Sequence, residues 1–433
     1  MKLYISKKRI YLSIFLFFAI FCPPIIKNIN ILFFVTFYSF IAMMFNYRKE
    51  LHEFFRQKAV FIFNVTFFCI IIYIFCRMVY DFFLGSRLEL LGYVRHLYKI
   101  CGAFFLIQPI AVYIVLYCKK HAVGFKSLLK SIILAGLIEA CFTILMLIST
   151  EIRMDLLEIY FKNVYDSDLS YYDSWVYNER FYGFANVLVD IFGFATGMIC
   201  GLSWLYFVKF DFRFLLWFCV LMIVPVTNSV SGVVMAALGV FVFFMIQIKN
   251  GKISKRAVGS IGLILVLGLI GLSFLYQNAA GSIERLIGNI AALMGSNDGI
   301  TSYKILFSER FWTLPFEKKD LLFGTGHSVF STGLDIHSDV GYINSIWLIG
   351  VVGSVFFYGM FIKLFKAAFT KSNMEIKRMC VMYAIVCFFV FEIKGITVSI
   401  NPGLLIIFIL IYAVLIDVDI PEFNWKGTQR NEA

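Results

Sequence analysis

Several polar residues stand at the mouths of apolar runs, and their types are those that move protons or grip anions. Asp335, His337 and Asp339 alternate just ahead of a run that opens at Gly341 and Tyr342. An imidazole in that setting can take a proton near neutral pH, and a carboxylate two residues on can orient it. Arg310 precedes Phe311 and Trp312, and Arg180 opens the stretch Arg180-Phe181-Tyr182-Gly183-Phe184-Ala185-Asn186 that runs on to Asp190. A guanidinium can hold two phosphate oxygens at once. Gly183, Asn186 and Asp190 fall on one face at helical spacing, as a polar cavity wall requires. Gly324 and Gly326, followed by His327, permit a tight turn close to a ligand.

Each group also has a plainer reading. Arg180 could anchor a lipid headgroup, and a loop histidine is more often a surface residue. Asp335, His337 and Asp339, or Asp166 and Asp168, could take a divalent cation through oxygen and imidazole ligands. Such spacing is common by chance, and no metal and no cofactor is expected. Tyr160, Phe161, Tyr165, Tyr171, Tyr172, Trp175, Tyr177 and Phe181 make an aromatic stretch that fits an interfacial belt or a sugar-stacking surface. Charges inside apolar runs are costly and count as functional hypotheses: Arg77 with Asp81, Glu139, and Glu392 with Lys394. Arg77 and Asp81 lie four residues apart and are expected to pair.

The elements that must position these residues follow from composition. The 433 residues are 61% hydrophobic and 15% charged, which excludes an ordinary soluble domain. Apolar runs near 10–26, 29–46, 59–83, 96–118, 127–149, 182–206, 212–227, 230–248, 257–276, 341–362, 379–394 and 400–417 suit helices that cross a bilayer. The fold class expected is therefore all-α polytopic integral membrane protein, one transmembrane domain over 1–433 with about twelve transmembrane helices. The basic start with no small-residue cleavage site before Pro23 and Pro24 reads as a retained first span.

The net charge of +12 reflects basic loops, not nucleic acid. Of the 39 Lys and Arg, 25 fall in alternate connections and at the two ends, which assigns that side and both termini to the cytoplasm. Two long segments lie on the other side, 150–181 and 277–340, and both are mildly acidic. Ile283, Leu286, Ile287, Ile290 and Leu293 recur in the second at helical spacing, as an amphipathic helix on the outer leaflet would show. The ten cysteines lie in or beside apolar runs without CxxC spacing, so neither a disulfide framework nor a zinc site is expected.

Taken in order, Arg180 with Gly183, Thr227-Asn228-Ser229-Val230-Ser231-Gly232 in a short outer turn, Arg310 with Trp312, Gly324-x-Gly326, and His337-Ser338-Asp339-x-Gly341-Tyr342 followed by Gly350 and Gly353 resemble the O-antigen polymerase and O-antigen ligase superfamily. The resemblance covers roughly 178–360. It implies a GT-C-like, metal-independent, inverting glycosyltransferase of the bacterial inner membrane, acting at the periplasmic face on undecaprenyl-diphosphate-linked oligosaccharide. Arg180 and Arg310 would meet the diphosphate, His337 and Asp339 the acceptor hydroxyl, and Gly183, Asn186, Asp190, Gly324, Gly326, His327 and Tyr342 would line the substrate site. Ligases tend to carry Ser-Arg after the short turn and His-Asn at the later motif. Ser229 and Ser231 have no Arg beside them, and His337-Ser338-Asp339 looks more like the polymerases. The partners implied are the lipid-linked glycan and membrane lipid, with a chain-length regulator protein left open. Two other readings stay open: a ligase that moves glycan to lipid A core, and a flippase that uses Arg77, Glu139 and Asp190 as a pathway.

Overall fold

The computed structural model describes residues 7–83, 97–160, 162–163, 180–186, 189–251, 268, 271–293, 306–326 and 338–418. Among them every named element is a helix: α1 (Lys7–Phe21), α2 (Ile31–Asn46), α3 (Arg48–Arg56), α4 (Lys58–Phe83), α5 (Leu97–Lys120), α6 (Phe125–Ile148), α7 (Thr150–Tyr160), α8 (Val189–Lys209), α9 (Phe214–Asn228), α10 (Val230–Lys249), α11 (Ala280–Leu293), α12 (Lys318–Phe323), α13 (Gly341–Lys371), α14 (Glu375–Phe391) and α15 (Pro402–Leu415). Apolar runs fold this way in lipid because a helix satisfies its own backbone polar groups.

Six of these helices, α4, α5, α6, α8, α10 and α13, carry stretches long and apolar enough to cross a membrane, and α2 with α3, bent by 98°, forms a pair that is either a broken span or a re-entrant loop. The expected spans at 212–227 and 400–417 appear as the shorter apolar helices α9 and α15. In α15 the reason is local: Asn401 accepts the Gly403 N–H at 2.8 Å and starts the helix at Pro402, and a turn ends it after Leu415. The expected span at 257–276 falls largely outside the described residues.

α8 and α15 form the centre. Every residue of α15 is buried, and a helix apolar on all sides belongs inside a bundle. α8 meets α10 along a seam of small residues: Gly193 faces Ser229, Gly197 faces Gly232 and Gly201 faces Gly239. A Cβ on Gly197 would lie 2.1 Å from the Gly232 carbonyl oxygen, so the two backbones touch. The Tyr383 hydroxyl on α14 closes the seam by donating toward the Met235 carbonyl at 2.9 Å.

The long α13 is broken at Gly350, where φ is +69°. The Lys318–Phe323 helix and the glycines after it fit into this break: the Thr325 and Gly326 N–H groups donate to the carbonyls of Trp347 (2.7 Å) and Leu348 (3.1 Å). An alanine at 350 would need a rarely adopted φ and put its Cβ 2.2 Å from the Leu322 carbonyl oxygen. Gly350→Ala is therefore expected to cost about 1–3 kcal/mol or more, read as a lower melting temperature of the purified protein in detergent. A melt equal to wild type would show that this junction can relax.

Candidate functional site

The site grows from the turn at 180–186, which is clamped by three helices. Asn228, the last residue of α9, accepts the Phe181 N–H at 3.1 Å and donates back to the Phe181 carbonyl and, at 2.8 Å, to Val224 within its own helix. Glu139 of α6 accepts the Phe184 N–H at 3.1 Å. The Asn186 N–H donates to the Phe21 carbonyl at the end of α1, at 2.9 Å. Gly183 has φ +59°, and a Cβ there would stand 2.1 Å from Glu139 Oε1. Only glycine fits that position without displacement.

Two arginines from elsewhere join Arg180 around this clamp. Arg153 of α7 places its guanidinium over the Phe181 ring, 4.2 Å from the centroid, a cation–π contact. Arg285 of α11 donates to the carbonyls of Asn228 at 3.0 Å and Thr227 at 3.3 Å. Arg153, Arg180 and Arg285 are all partly buried, whereas Glu151, Asp155, Glu158 and Glu284 on the same two helices are exposed. Ser282 also donates to Thr227, at 3.3 Å, and Ile283 and Leu286 are buried beside it while Ile287 is 58% exposed. The stretch expected to be helical here is the helix α11, and it docks on the end of α9. A groove of about 530 Å³ leads away from this end, lined by apolar side chains that include Phe218, Met222, Val226, Val233, Val240 and Leu275.

A second cluster forms at the mouth of α13. Ser338 donates to the Phe311 carbonyl at 2.6 Å and Asn344 to the Ser338 carbonyl at 2.7 Å. Trp312 and Trp347 donate to the Leu306 and Thr313 carbonyls, each at 2.9 Å. These bonds tie the Glu309–Trp312 turn, which carries exposed Arg310, to the helix mouth where Asp339 is exposed. Tyr342 donates to the Phe389 carbonyl at 2.9 Å. Beneath it the buried Glu392 accepts from the Tyr358 hydroxyl at 2.8 Å and the Thr397 N–H at 3.0 Å. Phe194 stacks on Phe391 with centroids 4.1 Å apart. Gly193 packs on Ser229 and Phe391 precedes Glu392, so this stack links a residue beside the first cluster to one beside the second.

The structure brings Arg180, Gly183 and Asn186 into the first cluster and Arg310, Asp339, Tyr342, Gly324 and Gly326 into or beside the second. Gly183 and Asn186 do not share a helix face with Asp190 as expected: they lie in a turn that the left-handed Gly183 and the turn's hydrogen bonds to Glu139 and Phe21 hold out of helix, and α8 begins only at Val189. The close approach of Gly324 is to the backbone at Gly350, with its Cβ position 2.5 Å from the Gly350 nitrogen. Arg77 donates to the Gly324 carbonyl at 3.1 Å. His327, Asp335, His337, Asp166, Asp168 and most of the first-loop aromatics lie outside the described residues, as do the side chains of Asp81 and Asp190. Among the described residues no group of three or more His, Cys, Asp or Glu is placed to hold a metal. Sequence reasoning did not single out Arg153 or Arg285, and it named Asn228 only as part of the Thr227–Gly232 stretch.

The fold is that of a helical, membrane-embedded protein, and the first cluster is an arginine-lined site at the ends of its helices. The chain matches no family model and no curated protein.

Asn228 is 1% exposed, so replacing it by leucine leaves the Phe181 N–H and carbonyl buried and unpaired, at roughly 1–3 kcal/mol for each lost partner. Asn228→Leu should melt well below wild type in detergent. An unchanged melt would remove the clamp from this description.

Proposed function

We propose that the chain polymerises undecaprenyl-diphosphate-linked oligosaccharide repeat units into O-antigen or a related surface polysaccharide by glycosyl transfer at the outer face of the inner membrane. The observation that carries the reading is the gathering of Arg153, Arg180 and Arg285 around the Phe181–Asn228 clamp, at the head of an apolar groove. Guanidinium groups at the edge of a membrane, beside a surface fit for a lipid chain, suit a ligand with an anionic head and an isoprenoid tail.

In this reading the acceptor hydroxyl attacks the anomeric carbon of the donor sugar, the bond from that carbon to the diphosphate oxygen breaks, and the electron pair leaves with the diphosphate. The arginines offset the charge that develops there. The hydroxyl proton goes to His337, oriented by Asp339, and attack from the face opposite the leaving group inverts the carbon. Arg310 stands at the second cluster, where the acceptor glycan would enter. The chain then has twelve spans in a GT-C-like arrangement, with both termini in the cytoplasm and the arginine site in the periplasm. The basic residues Lys119, Lys126, Lys209 and Lys249 at the opposite ends of α5, α6, α8 and α10 support that orientation.

The test is the glycan ladder from cells that lack the gene and are restored with wild type or single variants at matched protein level. Deletion should leave a core that carries a single repeat. Arg180→Ala and Arg285→Ala should each lower long-chain glycan about tenfold or more, since a charge-assisted hydrogen bond contributes about 1.5–3 kcal/mol, and His337→Ala should abolish it. A core with no repeat, and lipid-linked glycan held outside, would mean ligation; glycan held on the cytoplasmic face would mean a flippase.

A further inference from the structure

We infer that Glu139 is a positioning residue: a buried carboxyl that latches the 180–186 turn and thereby fixes Arg180 in the anion site. This rests on the functional reading above only for the identity of the ligand. Glu139 is 0% exposed in the middle of α6, where a carboxyl is costly and is retained only with a specific partner. Its partner is the Phe184 N–H at 3.1 Å, across 45 positions of sequence. Thr143, also 0% exposed, stands one helical turn on, and its hydroxyl lies 3.0 Å from where a Cβ on Gly183 would be. Glu139 and Thr143 thus form a polar seat under the turn, and glycine at 183 is what allows the turn to sit down on it.

The other end of the turn is held by Asn228, whose carbonyl also holds Arg285. The turn is therefore pinned at Phe181 from α9 and at Phe184 from α6. Asn228 at Phe181 and the Phe21 carbonyl at Asn186 hold the two ends of the turn, and Glu139 holds its middle, so removing Glu139 frees the stretch between them. Glu139 Oε2 and Thr143 Oγ1 are buried and find no hydrogen-bond partner among the described residues, so the seat has polar capacity to spare. A glutamine at 139 keeps the acceptor for Phe184 and turns its amide toward the Thr143 hydroxyl, which can accept it.

The experiment uses the purified full chain in detergent, with undecaprenyl diphosphate as the probe and hydrogen–deuterium exchange of the 180–186 peptide as a readout that needs no ligand. Glu139→Leu should bind the probe at least tenfold more weakly and exchange the turn amides faster, and Glu139→Gln should stay within twofold of wild type in both. Arg180→Ala should also weaken binding at least tenfold, and adding Glu139→Leu to it should weaken it no further, because the two changes act through one group. Where Glu139→Leu does not fold, Gly183→Ala disturbs the same contact with the carboxyl kept and should give the same pattern. Additive losses in the double variant, or a Glu139→Gln as impaired as Glu139→Leu, would overturn the assignment. Wild type that fails to bind undecaprenyl diphosphate while the exchange pattern holds would reject the lipid reading and leave the latch standing.

Discussion

The backbone contact between α8 and α10 is the constraint on which the rest of the structure depends. Lipid offers no hydrophobic gain for bringing two apolar helices together, so association rests on close packing and on the few hydrogen bonds it brings within reach. Gly197 and Gly201 let α10 lie backbone to backbone against α8 at Gly232 and Gly239, and Gly193 leaves room for Ser229. That approach sets where α10 begins, and hence where Asn228 and Ser229 stand, since only Ser229 separates α9 from α10. Asn228 can then reach the turn that leads into α8. A seam one side chain wider would move Asn228 away from Phe181 and dissolve the clamp.

The two ends of the bundle use their cations differently. At one end lysines are spent on the scaffold: Lys209 pairs with Glu375 at 2.8 Å, Lys377 with Asp417 at 2.9 Å and Lys119 with Glu53 at 3.2 Å. A flexible ammonium is well suited to that task. At the other end the gathered cations are arginines, which meet backbone carbonyls and an aromatic face. The first end also holds an arginine of this kind, Arg378, which donates to the Ser372 carbonyl at 3.3 Å and lies over Phe369, so the contrast is one of emphasis: carboxylate pairs prevail at one end, backbone carbonyls and the Phe181 ring at the other.

Much of the bundle was legible in the sequence because burial in lipid leaves a coarse mark: most of each described apolar run appears as helix, with 22–26 and 182–186 among the exceptions at the ends of runs. Helix lengths were less legible. α15 starts where Asn401 and Pro402 dictate and stops at Leu415, short of the apolar run 400–417 at both ends, because a hydropathy run does not register such local caps. Of the site, Arg180 with Gly183 could be found because the two are adjacent in the chain. Arg153 and Arg285 could not, because nothing in their own neighbourhoods marks them; they matter through Phe181 and Asn228, dozens of residues away. Gly324 and Gly326 show the converse. Their conformational signature is plain in the sequence, yet the partner they approach is the broken helix at Gly350.

The stack of Phe194 on Phe391 gives the two clusters a common frame. One ring belongs to α8, just inside the arginine cluster, and the other precedes Glu392 beneath the mouth of α13. Parallel rings 4.1 Å apart tolerate sliding poorly in a packed interior. A shift of α8 would therefore carry to Glu392, which accepts from Tyr358 and Thr397 and whose backbone carbonyl receives the Gly341 N–H at 2.7 Å. The arginine cluster and the Asp339 mouth are thus held at a fixed separation by the core. The transfer proposed above would need that property, because its reacting atoms would have to meet at one place however long the glycan behind them had grown.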